Sequence, residues 1–185
     1  MGEEGKGMSV TLANGGSKDR RELDYYPTPP EVTEALMQFL VDKLPLGVMS
    51  VHEPACGEGM MSGVLRKYFR SVVESDISQG LDYLGLESQK CHCIITNPPF
   101  SKSREFIEKA VKESNVVAML LKSQYWHSSR RRALFLETTP AYVLPLTWRP
   151  DFYFGAKSGS PTMEVLWTVW IGGFTGCLYY PLGRP

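Results

Sequence analysis

Apolar side chains recur at three- and four-residue steps between Pro30 and Leu44, at Val32, Ala35, Leu36, Phe39, Leu40 and Leu44. That spacing predicts one face of an amphipathic helix over 30–44. Pro29 and Pro30 suit its first turn, where a missing backbone N–H removes no helical hydrogen bond. The period then changes. Val48 to His52 reads as a short strand that runs into the turn Glu53-Pro54-Ala55-Cys56-Gly57-Glu58-Gly59, followed by a helix over 60–68. A second strand is predicted over 71–74, ending near Asp76, and a buried third over 93–96, ending at Asn97. A helix follows over 104–113. Val116 to Leu121 is apolar at every position, as in strands of parallel sheets covered on both faces. A helix over 130–137 precedes two final strands, 141–144 and 164–171, which flank a Gly/Ser/Pro-rich loop. Strands alternating with helices predict an α/β fold, a Rossmann-like, doubly wound, mostly parallel sheet with helices on both faces and a C-terminal antiparallel hairpin.

The chain has 185 residues, 43% of them hydrophobic, enough for one packed core and too few for two full-sized domains. Residues 1–24 hold hardly any large apolar side chain and are expected to form a flexible arm, leaving 25–185 as a single domain. No stretch approaches the roughly 20 apolar residues that span a bilayer, and no signal-peptide core is present, so a cytoplasmic protein without a membrane partner is expected. Cys56, Cys91, Cys93 and Cys177 fit reduced thiols. Cys91-His92-Cys93 has no second ligand pair nearby, so no metal site is expected. The formal net charge is zero, and any attraction to nucleic acid must come from a local surface. Lys122, Arg130, Arg131, Arg132, Arg149 and Lys157 offer one, interrupted only by Glu137 and Asp151; a solvated helix face would read the same way.

In doubly wound sheets, ligands bind beyond the carboxyl ends of the strands, and the unusual polar residues fall there. Gly57 and Gly59 allow close backbone approach, Glu53 supplies a carboxylate, and Asp76 is placed to accept from ribose hydroxyls. Glu74 is the alternative; Asp76 is favoured because it stands where the strand should have ended. No full Gly-x-Gly-x-x-Gly motif is present, which favours a cofactor without phosphates. Asn97-Pro98-Pro99-Phe100 directly follows an apolar strand. Two prolines stiffen the turn, so the Asn97 amide oxygen and the Pro98 carbonyl can face outward as acceptors. Two acceptors match one NH2 group, and Phe100 can stack on a flat ring.

These residues resemble the class I S-adenosylmethionine-dependent amino-methyltransferases, especially the small phage-type DNA adenine methyltransferases. The resemblance runs from Tyr25 to about Trp170. It implies that Tyr26-Pro27-Thr28-Pro29 closes over the methionine portion of S-adenosylmethionine. It likewise implies that Glu53, Pro54, Ala55, Cys56, Gly57 and Gly59 form the cofactor loop, that Asp76 binds ribose, and that Asp82 and Tyr83 contact the cofactor adenine. Asn97, Pro98, Pro99 and Phe100 resemble the catalytic motif. Arg149-Pro150-Asp151-Phe152 and the strand around Trp167 and Trp170 resemble the substrate-side loop and final hairpin. A prokaryotic or phage-infected cell is the implied setting.

The implied reaction is N6-methylation of adenine in DNA. A base within a duplex must be flipped out to reach such a turn, and the basic residues named above would hold phosphates. Tyr125 and Trp126, past the fourth strand with Ser123, Gln124 and His127, are candidates to contact or replace the flipped nucleotide. Loop residues between Pro145 and Met163 are the expected sequence readers, for a short or loose site. An RNA methyltransferase acting on adenine or guanine amines, a protein-glutamine methyltransferase and a non-catalytic nucleic-acid-binding module remain alternatives.

Overall fold

The structure, a computed structural model, describes residues 26–152 and 163–185. The expected arm 1–24, Tyr25, Lys157 and most of the expected reader loop lie outside the described residues. Helix α1 spans Pro30–Val41, β1 Ser50–Glu53, α2 Met60–Leu65 and β2 Ser71–Glu74. They are followed by β3 at Cys93–Thr96, α3 at Ser103–Glu113, β4 at Val116–Lys122 and α4 at Arg132–Glu137. Three strands close the chain, β5 at Tyr142–Pro145, β6 at Val165–Ile171 and β7 at Leu178–Tyr179.

The strands form one seven-stranded sheet in the order β2-β1-β3-β4-β6-β5-β7. β2, β1, β3 and β4 pair in parallel, whereas β6 runs antiparallel to both β4 and β5. The expected terminal hairpin therefore exists, with its second strand inserted next to β4. A third strand was not anticipated: β7 adds to β5 in parallel through Tyr142↔Leu178 and Val143↔Tyr179. Two exposed residues between Cys177 and Tyr180 are too short a run for an alternating pattern to register.

The alternation of side chains along β4 shows how the sheet is covered on both faces. Val116, Ala118 and Leu120 pack with α1 and α2 residues in one cluster. Val117, Met119 and Leu121 pack with Phe106, Ile107 and Ala110 of α3 and Leu134 of α4 in the other. Trp167 on β6 is completely buried and donates its indole N–H to the Val32 carbonyl of α1 at 3.0 Å, tying helix to sheet. Because the chain leaves β1 for β2 on one side and returns to β3 and β4 on the other, the winding direction reverses between β1 and β3. The carboxyl ends of those two strands then border a crevice, and they carry Glu53 and Asn97.

Candidate active site

The turn after β1 is a backbone cradle. Gly57 and Gly59 have φ of 51° and 77°, a region that L side chains enter at a steric cost. Ser75 N donates to Glu53 O at 3.1 Å and Cys56 N to Ser75 O at 3.2 Å, lacing the turn to the exit of β2. Asp76 completes the lacing: its carboxylate accepts Gly57 N at 2.8 Å, Ser78 N at 2.8 Å and Ser78 Oγ at 2.6 Å. Glu74, the last residue of β2, pairs with Arg66, and its Oε1 lies 3.4 Å from where a side chain on Gly59 would begin. Glu74 thus overlooks the glycine turn, while Asp76 shapes it.

Glu53 is only 2% exposed and accepts a hydrogen bond from Ser62 Oγ. Burial raises its carboxyl to about 8, against the opposing effect of the Ser62 hydroxyl. The folded protein then holds a proton that the unfolded chain has released, between the ordinary carboxylate range and about pH 8. Stability from this group is present at the acid end of that window and is lost as pH rises through it. Glu53→Gln keeps an acceptor for Ser62 without the ionisation. Its stability relative to the native protein is expected to grow from pH 5 to pH 8, by up to about 1 kcal/mol per pH unit. Urea unfolding across that range checks this, and a constant difference contradicts it.

Asn97 is oriented by its donors. Its Nδ2 donates to Tyr26 O and to Thr28 Oγ1, each at 3.1 Å. Its Oδ1 is buried with no hydrogen-bond partner. A buried acceptor without a partner is costly, and its amide is held so that only the oxygen remains available. The segment 26–28, expected against a cofactor, therefore also acts as the clamp that fixes this amide. Pro99 O is occupied by Lys102 N at 2.9 Å and Ser103 Oγ at 3.3 Å, which starts the helical turn leading into α3. The Phe100 ring lies 5.3 Å from that of Tyr26, and Phe152 meets Tyr26 edge-on at 6.5 Å. Lys122, where β4 ends, places its ammonium 3.9 Å from the Phe100 ring centre. That role for Lys122 had no signal in the sequence beyond its charge.

Other expected residues take different places. Tyr83 is 2% exposed, with its ring against His52 and Phe106 and its hydroxyl donating to Glu113 at 2.9 Å, and it packs as part of the core. Asp82 accepts Leu84 N in a local turn. Tyr125 is buried too, and Arg131 lies 3.8 Å over its ring while bonding its carbonyl. Trp126 stacks on Phe135 at 4.2 Å and 7°. Tyr125 is thus enclosed, whereas Trp126 is half-buried with Phe135 against one face. Arg149 pairs with Glu164 at 2.6 Å, and Arg130 and Arg132 are exposed. Pro54 and Cys56 are buried and Ala55 half-buried within the turn; burial raises the Cys56 thiol to about 11. Among the described residues, no group of His, Cys, Asp and Glu is arranged to hold a metal ion, and no helix is long and apolar enough to cross a membrane.

No protein-family model matches the chain, and no curated protein matches it. Solved structures do. The methyltransferase subunit of a type I restriction-modification system from Streptococcus thermophilus is similar with a TM-score of 0.63 and 11% identity, over 84% of this chain and 47% of that one. A proposed RNA methyltransferase from Pyrococcus horikoshii is similar with a TM-score of 0.64 and 16% identity, over 86% and 93%. A proposed class I S-adenosylmethionine-dependent methyltransferase from Listeria monocytogenes gives 0.60 and 11%, over 91% and 68%. The chain thus spans about half the length of the Streptococcus subunit. At these identities the likeness establishes the fold, that of the class I S-adenosylmethionine-dependent methyltransferases.

Proposed function

We propose that this protein transfers a methyl group from S-adenosylmethionine to the exocyclic amine of adenine in DNA. The observation that carries the reading is the Asn97 amide, whose NH2 is clamped by Tyr26 and Thr28 and whose oxygen is buried without a partner. A target amine is the donor such an acceptor lacks. The residues present fit the cofactor: a glycine turn with two left-handed backbones, the acidic side chains Glu53 and Glu74 at the ends of β1 and β2, and the Asn97 acceptor across the crevice. Bound S-adenosylmethionine supplies an electrophilic methyl on a sulfonium.

The chain's own residues do the rest. Asn97 Oδ1 and the Pro98 carbonyl accept the two amine hydrogens, which turns the nitrogen lone pair away from the ring and toward the methyl. The rigid Pro98-Pro99 turn fixes the amine's direction, and Phe100 holds the base by stacking. No strong general base is needed, because the amine proton becomes acidic once nitrogen carries the methyl. Arg130 and Arg132, exposed beyond β4, suit phosphate contacts that position the strand.

Glu74 is the better candidate for the ribose hydroxyls, since three hydrogen bonds already engage Asp76. Glu74→Ala is expected to weaken cofactor binding about tenfold, the worth of a charged hydrogen bond, with the melting temperature nearly unchanged. Asp76→Ala is expected to lower both together, because it unlaces the turn. Calorimetric titration and thermal unfolding separate the two, and a silent Glu74→Ala returns the ribose to Asp76.

The reading is tested by transfer of labelled methyl to unmethylated double-stranded DNA, single-stranded DNA and RNA, followed by nucleoside mass analysis. N6-methyldeoxyadenosine supports it. Label confined to RNA keeps the turn and replaces the substrate, an outcome that the likeness to a proposed RNA methyltransferase makes worth its own arm. No label in any nucleic acid overturns it.

A further inference from the structure

Lys122 ends β4 on the same border of the sheet as Asn97. Its ammonium stands 3.9 Å from the centre of the Phe100 ring and 5.5 Å from that of Tyr26. Among the described residues no carboxylate forms an ion pair with it. Attraction to the ring faces is what holds it.

Stacked aromatic groups lie roughly 3.5 Å apart face to face, within ordinary contact distance. The ammonium therefore fills the space that a base lying on this face of Phe100 would take. Both cannot be there together. The side chain has a flexible four-carbon stem and three rotatable donors, so it can leave without any change in backbone. It gives up its contact with the rings as it goes, and a half-buried ammonium then needs another acceptor. A ring nitrogen of the base would be a poor choice, because donating to it withdraws electron density from the amine that must attack. A phosphate beside the same nucleotide offers a negative charge and leaves the amine untouched.

On the reading proposed above, we infer that Lys122 is an exchanging plug of the base pocket: its ammonium covers Phe100 until a base takes that place, then moves to the phosphate adjoining the target nucleotide. The exchange ties entry of the base to the presence of a polyanionic strand. It gives the pocket a preference for nucleotides within a chain, independent of any base-edge contact.

The test uses oligonucleotides that carry one methylatable adenine, with the linkage on its 5′ or its 3′ side either ordinary phosphate or neutral methylphosphonate. Methyl transfer is measured for the native protein, Lys122→Met and Lys122→Arg. One of the two neutral linkages is expected to lower kcat/KM of the native protein and of Lys122→Arg by about tenfold or more, as for loss of a charged hydrogen bond. It is expected to leave Lys122→Met unaffected. Equal sensitivity of the native protein and Lys122→Met to both neutral linkages overturns the inference. So does Lys122→Met with native kcat/KM on ordinary DNA. Cofactor affinity and melting temperature of each variant show that it is folded. Absence of transfer by the native protein to every ordinary oligonucleotide overturns instead the methyltransferase reading beneath it.

Discussion

Replacing Asn97 by alanine is expected to lower the rate of methyl transfer by about 10²–10³-fold, the cost of removing one preorganised polar group aimed at a reacting centre. Cofactor affinity is expected to stay within a few-fold of native. The physical basis is the division of labour within one amide. Nδ2 is spent on Tyr26 O and Thr28 Oγ1, so the oxygen has one orientation and no competing donor. Alanine deletes the acceptor and also frees the 26–28 segment, so a second variant separates these effects. Thr28→Val removes one of the two clamping bonds and leaves Asn97 in place. Its kcat is expected to fall roughly tenfold or less, in keeping with one neutral hydrogen bond, with little change in KM for the nucleic acid. Single-turnover transfer with saturating cofactor reads both. Native turnover in Asn97→Ala would remove this residue from the chemistry.

The largest effect on stability is expected at Trp167. Its side chain is fully buried, on the centre of a strand that pairs on both sides, and its indole N–H is satisfied by Val32 O at 3.0 Å. Trp167→Ala leaves a cavity between sheet and α1 and removes the indole's bond to the helix, a loss of about 3–5 kcal/mol. For a chain of this size that corresponds to a fall in melting temperature of roughly 10 °C. Trp167→Phe refills most of the volume and loses the hydrogen bond, and should cost about a third as much. A destabilisation of Trp167→Ala within about 1 kcal/mol, the ordinary range for surface changes, would show that β6 does not anchor α1.

Much of the fold could be read from residue order because its signals are local. The three- and four-residue spacing that begins at Val32, the unbroken apolar run of β4 and the turn residues at Gly57, Gly59 and Pro98 each act within a few positions. Strands β2 and β3 have the bounds their sequence suggested. The same holds for the content of the site: acids and a glycine turn after β1, and Asn97 to Phe100 after β3, belong at strand ends in any sheet of this kind.

Contacts between distant segments are a different matter, because no local pattern records which surfaces meet. Packing placed the Tyr83 ring in the core with its hydroxyl on Glu113, thirty residues away. The hydrogen bonds from Gly57 and Ser78 distinguished Asp76 as a loop clamp from Glu74 as the acid above Gly59. The addition of β7 to β5 depended on pairing across more than thirty residues. The orientation of Asn97 came from a segment some seventy residues earlier, and the ammonium of Lys122 over Phe100 from the adjacency of β3 and β4. The sequence by itself determined which chemical groups stand at the strand ends, because strand and turn preferences are short-range. Only the tertiary structure decided which of those groups have a partner and which remain available, because hydrogen-bond satisfaction and burial are properties of the packed chain.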